Sequence, residues 1–357
     1  MNATINRVEL LKALGKVKGT IPSRGTLPII TRVAILATQG KIELQGTDLE
    51  VFVTLSCKAD VTKDGGVCVL IKTLEPFLKN VKTETVVITM PDEKHMTIKA
   101  GASITVDGMD IADFPNIQKV KEKFCSVVNL DNILKEVGYA VATEEKRLSL
   151  TGISFICDEK EGKLELCSAD GFRLVIGSIK TEMFAQEPKS FILPKAAANI
   201  IEKHMPGNVE IFRAEESMSF MNDNIVMTTK LIQGNYPDYR QIIPKNTTYF
   251  TFDSSEMKRA LNIVSATTSS NIVRFKATKD SLVVSTFDKE VGETSTTVPS
   301  TGMCKIAFNI KYLRDVLNRI EGTVFASADI NGTKPVLIKN NDIVHVIMPM
   351  FVQWGKD

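Results

Sequence analysis

Lys163–Val175, KLELCSADGFRLV, reads as a strand, a small polar and acidic turn, and a second apolar run. Lys41–Val51, KIELQGTDLEV, is a second version of it, and Ser281–Val291, SLVVSTFDKEV, is a third. Their starts lie 122 and 118 residues apart. A long and nearly fixed period marks a repeated structural unit, and it sets the fold before any single element does. The chain is expected to hold three similar domains, at residues 1–121, 122–246 and 247–357.

The elements around each copy repeat as well. Asn6, with Glu9 three residues on, has the form of a helix-capping box. Leu10, Ala13, Leu14 and Val17 then follow the i, i+3, i+4, i+7 spacing of one buried helical face. Leu74, Phe77, Leu78 and Val81 predict a second helix, with Pro76 in its first turn, where a missing N–H costs little. The same template recurs at Leu130–Val137, after Pro194 (Ala197, Ile200, Ile201, His204), after Asp253 (Met257, Ala260, Leu261, Val264) and at Leu313–Ile320. Strands are predicted between the helices, among them Leu27–Thr38 and Lys41–Leu55. Asp113–Val120, DFPNIQKV, and Gly234–Pro244, GNYPDYRQIIP, read as two similar extended exits from the first and second repeats. Two helices packed on sheets in each of three tandem repeats make the class α+β.

Composition narrows the function. The 357 residues are 43% hydrophobic and 24% charged, with a net charge of +2, as in an ordinary water-soluble protein. The six helical stretches together carry +6, so a mildly basic helical surface sits on an otherwise slightly acidic chain. Such a surface suits a polyanion held loosely, and it also suits a plain solvated helix face. The six cysteines form no CxxC pair and read as buried thiols of a reducing compartment, which favours the cytoplasm. Asn6, Arg7 and Glu9 interrupt any apolar leader, and no run of apolar residues is long enough to span a membrane.

Catalytic constellations are missing from the sequence. His95, His204 and His345 are far apart, and there is no HExxH, GxSxG or GxxxxGK[ST] motif. Asp48, Asp170 and Asp288 occupy equivalent places in the three repeats, one per domain, where an aspartate after a strand caps turn N–H groups. No enzyme activity, metal or cofactor is expected.

The motifs, taken together, resemble the bacterial DNA polymerase III beta subunit family, the sliding clamps. They are TLPII (Thr26–Ile30), GTDLE (Gly46–Glu50), DFPN (Asp113–Asn116), ADGFRL (Ala169–Leu174), YPDYRQIIP (Tyr236–Pro244), FNIKYLRDVLN (Phe308–Asn318) and VIMPM (Val346–Met350). All seven fall in the family's order. The resemblance implies a ring of two chains joined head to tail, helices lining the hole and sheets outside. Such a ring encircles duplex DNA without reading its sequence and catalyses nothing. It tethers the DNA polymerase III catalytic subunit, and it meets a clamp loader and other polymerases and repair proteins through short peptides. Carried across residue by residue, the partner-peptide pocket comprises Leu150, Ala169, Gly171, Phe172, Arg173, Leu174, Pro237, Ile242, Asn309, Tyr312, Val346, Met348, Pro349 and Met350. Arg24 and Arg147 match loop positions that approach DNA. A clamp-like accessory chain that does not encircle DNA is the alternative, ahead of an enzyme on a repeat scaffold.

The chain departs from the pattern at four places. Phe172 stands where the family often has His, and Gln241 where it has Arg. Leu148 and Ser149 replace aromatic residues beside Arg147, and a tail runs past Met350 to Asp357. The tail holds Trp354, the only tryptophan, expected either to rest beside the pocket or to fray.

Overall fold

The side-chain oxygen of Asn6 accepts hydrogen bonds from the backbone N–H groups of Val8 and Glu9 at 2.9 and 3.1 Å and opens helix α1 (Arg7–Val17). In this computed structural model, residues 1–116, 122–183, 189–214, 216–245, 248–266, 271–329 and 332–354 are described. The domain boundaries expected at 121–122 and 246–247, the end of the first exit (117–120) and the tip of the tail (355–357) fall on or beside residues outside that set. The six predicted helices are all present: α1, α2 (Ile71–Asn80), α3 (Leu130–Val137), α4 (Lys195–His204), α5 (Ser254–Ser265) and α6 (Ile310–Leu317).

The described chain divides into two compact units. One is built from the chain up to Asn132 together with Ala196–Leu231. It holds a five-stranded antiparallel sheet in the order Asp60–Lys63, Asn2–Asn6, Thr85–Thr89, His95–Lys99, Ser103–Asp107. A second antiparallel sheet runs Gly65–Val69, Val33–Thr38, Lys41–Thr47, Val51–Lys58, Ile225–Lys230, Ser217–Asn222, Asn208–Arg213, Glu122–Val128. Val51–Lys58 therefore pairs with a strand of the second repeat, in the register Val53 to Met227. Helix α1 buries Leu10, Ala13, Leu14 and Val17. Gly46 is what lets it lie close, because a Cβ there would come within 2.7 Å of the Val17 side chain. Arg7 donates to the carbonyl of Leu78, in the last turn of α2 where carbonyls lack helical partners, and to that of Thr83 beyond it.

The other unit is built from Ile133–Ile179, Lys189–Lys195 and the chain from Ile232 onward. Lys163–Ala169, Gly152–Asp158 and Ser190–Pro194 lie side by side. The start of the strand Arg173–Met183 pairs with Ile343–Ile347, and the sheet continues through Val336–Asn340, Thr323–Ala328 and Thr248–Asp253. Asp253 caps α5 through the N–H groups of Ser255 and Glu256, and Asn309 caps α6 through that of Lys311. Arg314 of α6 reaches the Leu261 carbonyl, Asn262 and Ser265 at the end of α5. Both helices cover a core that includes Phe250, Phe252, Phe275 and Phe308.

Two local expectations are corrected. Leu27–Thr38 is not one strand: Pro28–Thr31 makes a 3-10 turn and the strand starts at Val33. Pro28 at the head of that turn gives up no needed N–H, and Ile29 and Ile30 turn inward. Pro76 lies inside α2 rather than in its first turn. It sits on the exposed face, as does Lys72, whose carbonyl loses the Pro76 N–H. No described helix is long and apolar enough to cross a membrane.

Candidate functional site

The three equivalent aspartates cap their turns alike. Asp48 Oδ1 accepts from the N–H groups of Glu50 and Val51, Asp170 Oδ1 from Phe172 and Arg173, and Asp288 Oδ1 from Glu290 and Val291. The residue after the aspartate has a left-handed backbone in the first two copies, Leu49 at φ 79° and Gly171 at φ 92°. Only Gly171 takes that conformation without strain.

In the second repeat the turn carries more. Asp170 Oδ2 also accepts from Arg173 Nε at 2.9 Å, and Arg173 donates further to the Asp315 carboxylate and to the Tyr139 carbonyl. The guanidinium lies 4.5 Å from the Tyr312 ring centre and 5.1 Å from that of Tyr139. Phe172 stacks on Tyr312, centroids 6.2 Å apart. Phe172 is nevertheless 58% exposed, so one face of this aromatic pair is open to a ligand. The Phe172 carbonyl accepts from the Met348 N–H at 2.8 Å, and the Ala307 carbonyl accepts from Met350 N–H at 2.7 Å. Arg173 and Leu174 are paired with Ile347 and Val346 across the sheet.

Below this rim lies a buried apolar floor. Leu174 and Val346 pack with Cys167, Tyr239 and, at its edge, Ala169, Tyr236 and Ile243. The second exit is thus folded down onto the sheet. Asp238 caps its short turn Tyr239–Ile242 and also takes the Gln241 side chain, while Glu165 accepts from Tyr239 Oη and Arg240. Ile242, Pro237 and Met348 stay exposed, and Pro349 is buried. Of the residues expected in a pocket, Ala169, Gly171, Phe172, Arg173, Leu174, Tyr312, Val346 and Met348 are brought together by these contacts. Pro237 and Ile242 flank Tyr239 on the same segment, and Met350 anchors the chain beyond. Leu150 is buried, its carbonyl accepting from Ala142 N–H, and Asn309 spends its side-chain oxygen on capping α6.

A second layer supports Arg173. The Tyr139 ring is faced also by Arg319, 4.1 Å away, and its hydroxyl bonds His345 Nδ1 at 2.9 Å. Burial, with the Arg319 charge beside it, pushes the His345 pKa down to about 4, and burial pushes the Tyr139 phenol up. Sequence reasoning assigned Tyr139, Asp315 and His345 no part here; Asp315 stood inside the FNIKYLRDVLN motif unremarked.

Arg24 and Arg147 are both exposed, each in its own unit. Arg147 breaks the short helical run 145–151 with φ −130° and ψ 83°, and Leu148 beside it is exposed. The described part of the tail, residues 351–354, makes two contacts of its own. Gln353 carbonyl accepts from Arg274, and the Trp354 ring stands 5.2 Å from Lys305 Nζ. Among the described residues no cluster of three or more potential metal ligands occurs.

Family models match the chain in three successive pieces: the N-terminal, central and C-terminal domains of the DNA polymerase III beta subunit, at residues 1–118, 126–238 and 240–351. The beta sliding clamp of Staphylococcus aureus is 25% identical over 377 residues, covering 98% of this chain and 99% of that one. A crystal structure of the DNA polymerase sliding clamp from Bacillus subtilis superposes with a TM-score of 0.92 at 22% identity, over 99% and 100% of the two chains. That of the DNA polymerase III subunit beta from Bartonella birtlesii, bound to griselimycin, gives 0.92 at 26% identity over the same shares.

Proposed function

Because the chain belongs to the DNA polymerase III beta subunit family, we propose that it is a DNA sliding clamp, a non-catalytic processivity factor. Two copies close a ring around duplex DNA, the first domain of one chain meeting the third domain of the other. A heterologous contact closes when its rotation allows. The three domains are residues 1–121, 122–246 and 247–357. A ring that slides cannot grip bases; phosphate contacts carry no sequence information, and closed topology supplies the retention. Arg24 and Arg147 are exposed loop cations suited to that passing contact. The fit to a cytoplasmic protein rests on the thiols: Cys57, Cys68, Cys125, Cys167 and Cys304 are free and buried.

The partner site is the cleft between the Phe172–Tyr312 stack and Met348, over the floor of Leu174 and Val346. The observation that carries this reading is the Asp170 turn, which fixes an arginine and an open aromatic pair at the edge of an apolar floor. Such a rim takes short apolar peptides of varied sequence, because methionine repacks readily. The DNA polymerase III catalytic subunit, the clamp loader and other polymerases or repair proteins are the partners that would present them.

The test is retention. Placed on nicked circular DNA by a clamp loader, the protein should persist through moderate salt and leave when the circle is cut. Binding to a short linear duplex should be weak and fall as salt rises. Tight, salt-resistant binding to the short duplex, or a protein that never loads, would overturn the clamp reading in favour of an accessory chain.

A further inference from the structure

Tyr249 and Phe325 are 66% and 62% exposed on adjacent strands of one sheet. With Pro244, Lys245, Leu337 and Lys339 they border a shallow cavity of about 310 Å³. Register places this patch relative to the pocket floor. Tyr249 stands opposite Ser327, Ser327 opposite Leu337, Leu337 opposite Val346, and Val346 opposite Leu174. The next rung runs Thr251, Phe325, Lys339, Val344, Ile176. Directly opposed residues project from the same face of a sheet, so the open aromatics and the floor share one face. The second exit covers Leu174 and Val346 and ends at Pro244, on the border of the patch.

From this continuity we propose that the Tyr249–Phe325 face is a second docking surface for the same partner whose peptide fills the pocket. This rests on the pocket reading above. Large exposed apolar groups side by side on a strand face mark contact surfaces more than chance exposure does. Lys245 and Lys339 are both exposed at its rim, so the complementary segment is acidic as well as aromatic. Three strand spacings separate Val346 from Tyr249, roughly 14 Å, which about four or five extended residues span. The occupant is thus the stretch directly flanking the pocket peptide. Joining two weak contacts on one chain raises affinity through effective concentration.

The experiment measures binding of two synthetic peptides by calorimetry. One is a short Leu- and Phe-rich peptide. The other is the same peptide with a Gly-Ser spacer and an Asp-Phe-Asp-Phe segment, made at either end. For the natural chain, one extension should tighten binding about tenfold through the added local contact. Tyr249→Thr with Phe325→Thr, which keeps strand-forming residues on the surface, should abolish that gain and leave the short peptide unaffected. Lys339→Glu should do the same for the acidic extension, and a Lys-Phe-Lys-Phe extension should restore it. No gain from either extension overturns the proposal, as does an unchanged gain in the double variant. A drop in particle mass in the double variant would show the face to be a contact between copies, and also overturns it. If the short peptide does not bind, or Met348→Ala leaves its affinity unchanged, the pocket reading itself fails and this one with it.

Discussion

Arg173 is held by Asp170, Asp315 and the Tyr139 carbonyl, with the rings of Tyr139 and Tyr312 close to its guanidinium. Its turn has two siblings with the same aspartate cap, and that allows a controlled comparison. Asp170→Ala should weaken peptide binding about tenfold, by freeing Arg173 and with it the Phe172 backbone. Asp288→Ala should leave peptide binding unchanged and cost about 1 kcal/mol of stability, the usual loss of a capping oxygen. Equal effects of the two on peptide titrations would refute a special role for Asp170. His345 supplies a pH signature. It is fully buried with a pKa lowered to about 4, so the unfolded chain, near 6.5, binds the proton first. Its contribution to stability is present above about pH 6.5 and is lost as pH falls toward about 4, in all roughly 3 kcal/mol. Thermal melts across that window should show the loss, and His345→Asn should flatten it; an unchanged slope would mean other groups dominate.

At the scale of elements, the helices were readable and their seams were not. Each helical face follows from spacing alone, and Asn6 and Asp253 announced their caps three residues ahead. The strands Asn2–Asn6 and Glu122–Val128, which run straight into α1 and toward α3, were missed because a short strand beside a cap leaves little alternation to read. The pairing of Val51–Lys58 with Ile225–Lys230 has no signature at all, since the register of strands far apart in sequence is set by packing. The pocket was legible chiefly through its motifs. Tyr139 and Asp315 escaped notice because they act on Arg173 rather than on a ligand. The tail yields its own expectation: Trp354 lies against Lys305, so titration with a Trp-free peptide should leave its emission unmoved. Lys305→Ala should shift that emission, and truncation after Val352 should leave peptide affinity as it was. Quenching or a blue shift on adding peptide would put the tail back at the cleft.

For the whole molecule, light scattering at micromolar concentration should give a homodimer; a particle that stays monomeric at every concentration would count against the ring. The splices between repeats carry a separate consequence. The first repeat is hydrogen-bonded to the second through Val51–Lys58, and the second to the third through Arg173–Ile176 against Val344–Ile347. Neither seam can part without stripping a strand of its neighbour on one side. A single repeat made alone would therefore present a raw, adhesive edge, and the natural unit of melting is larger than the unit of repetition. Amide hydrogens on those seam strands should be among the last in the protein to trade for deuterium, later than those of the helices that cover them.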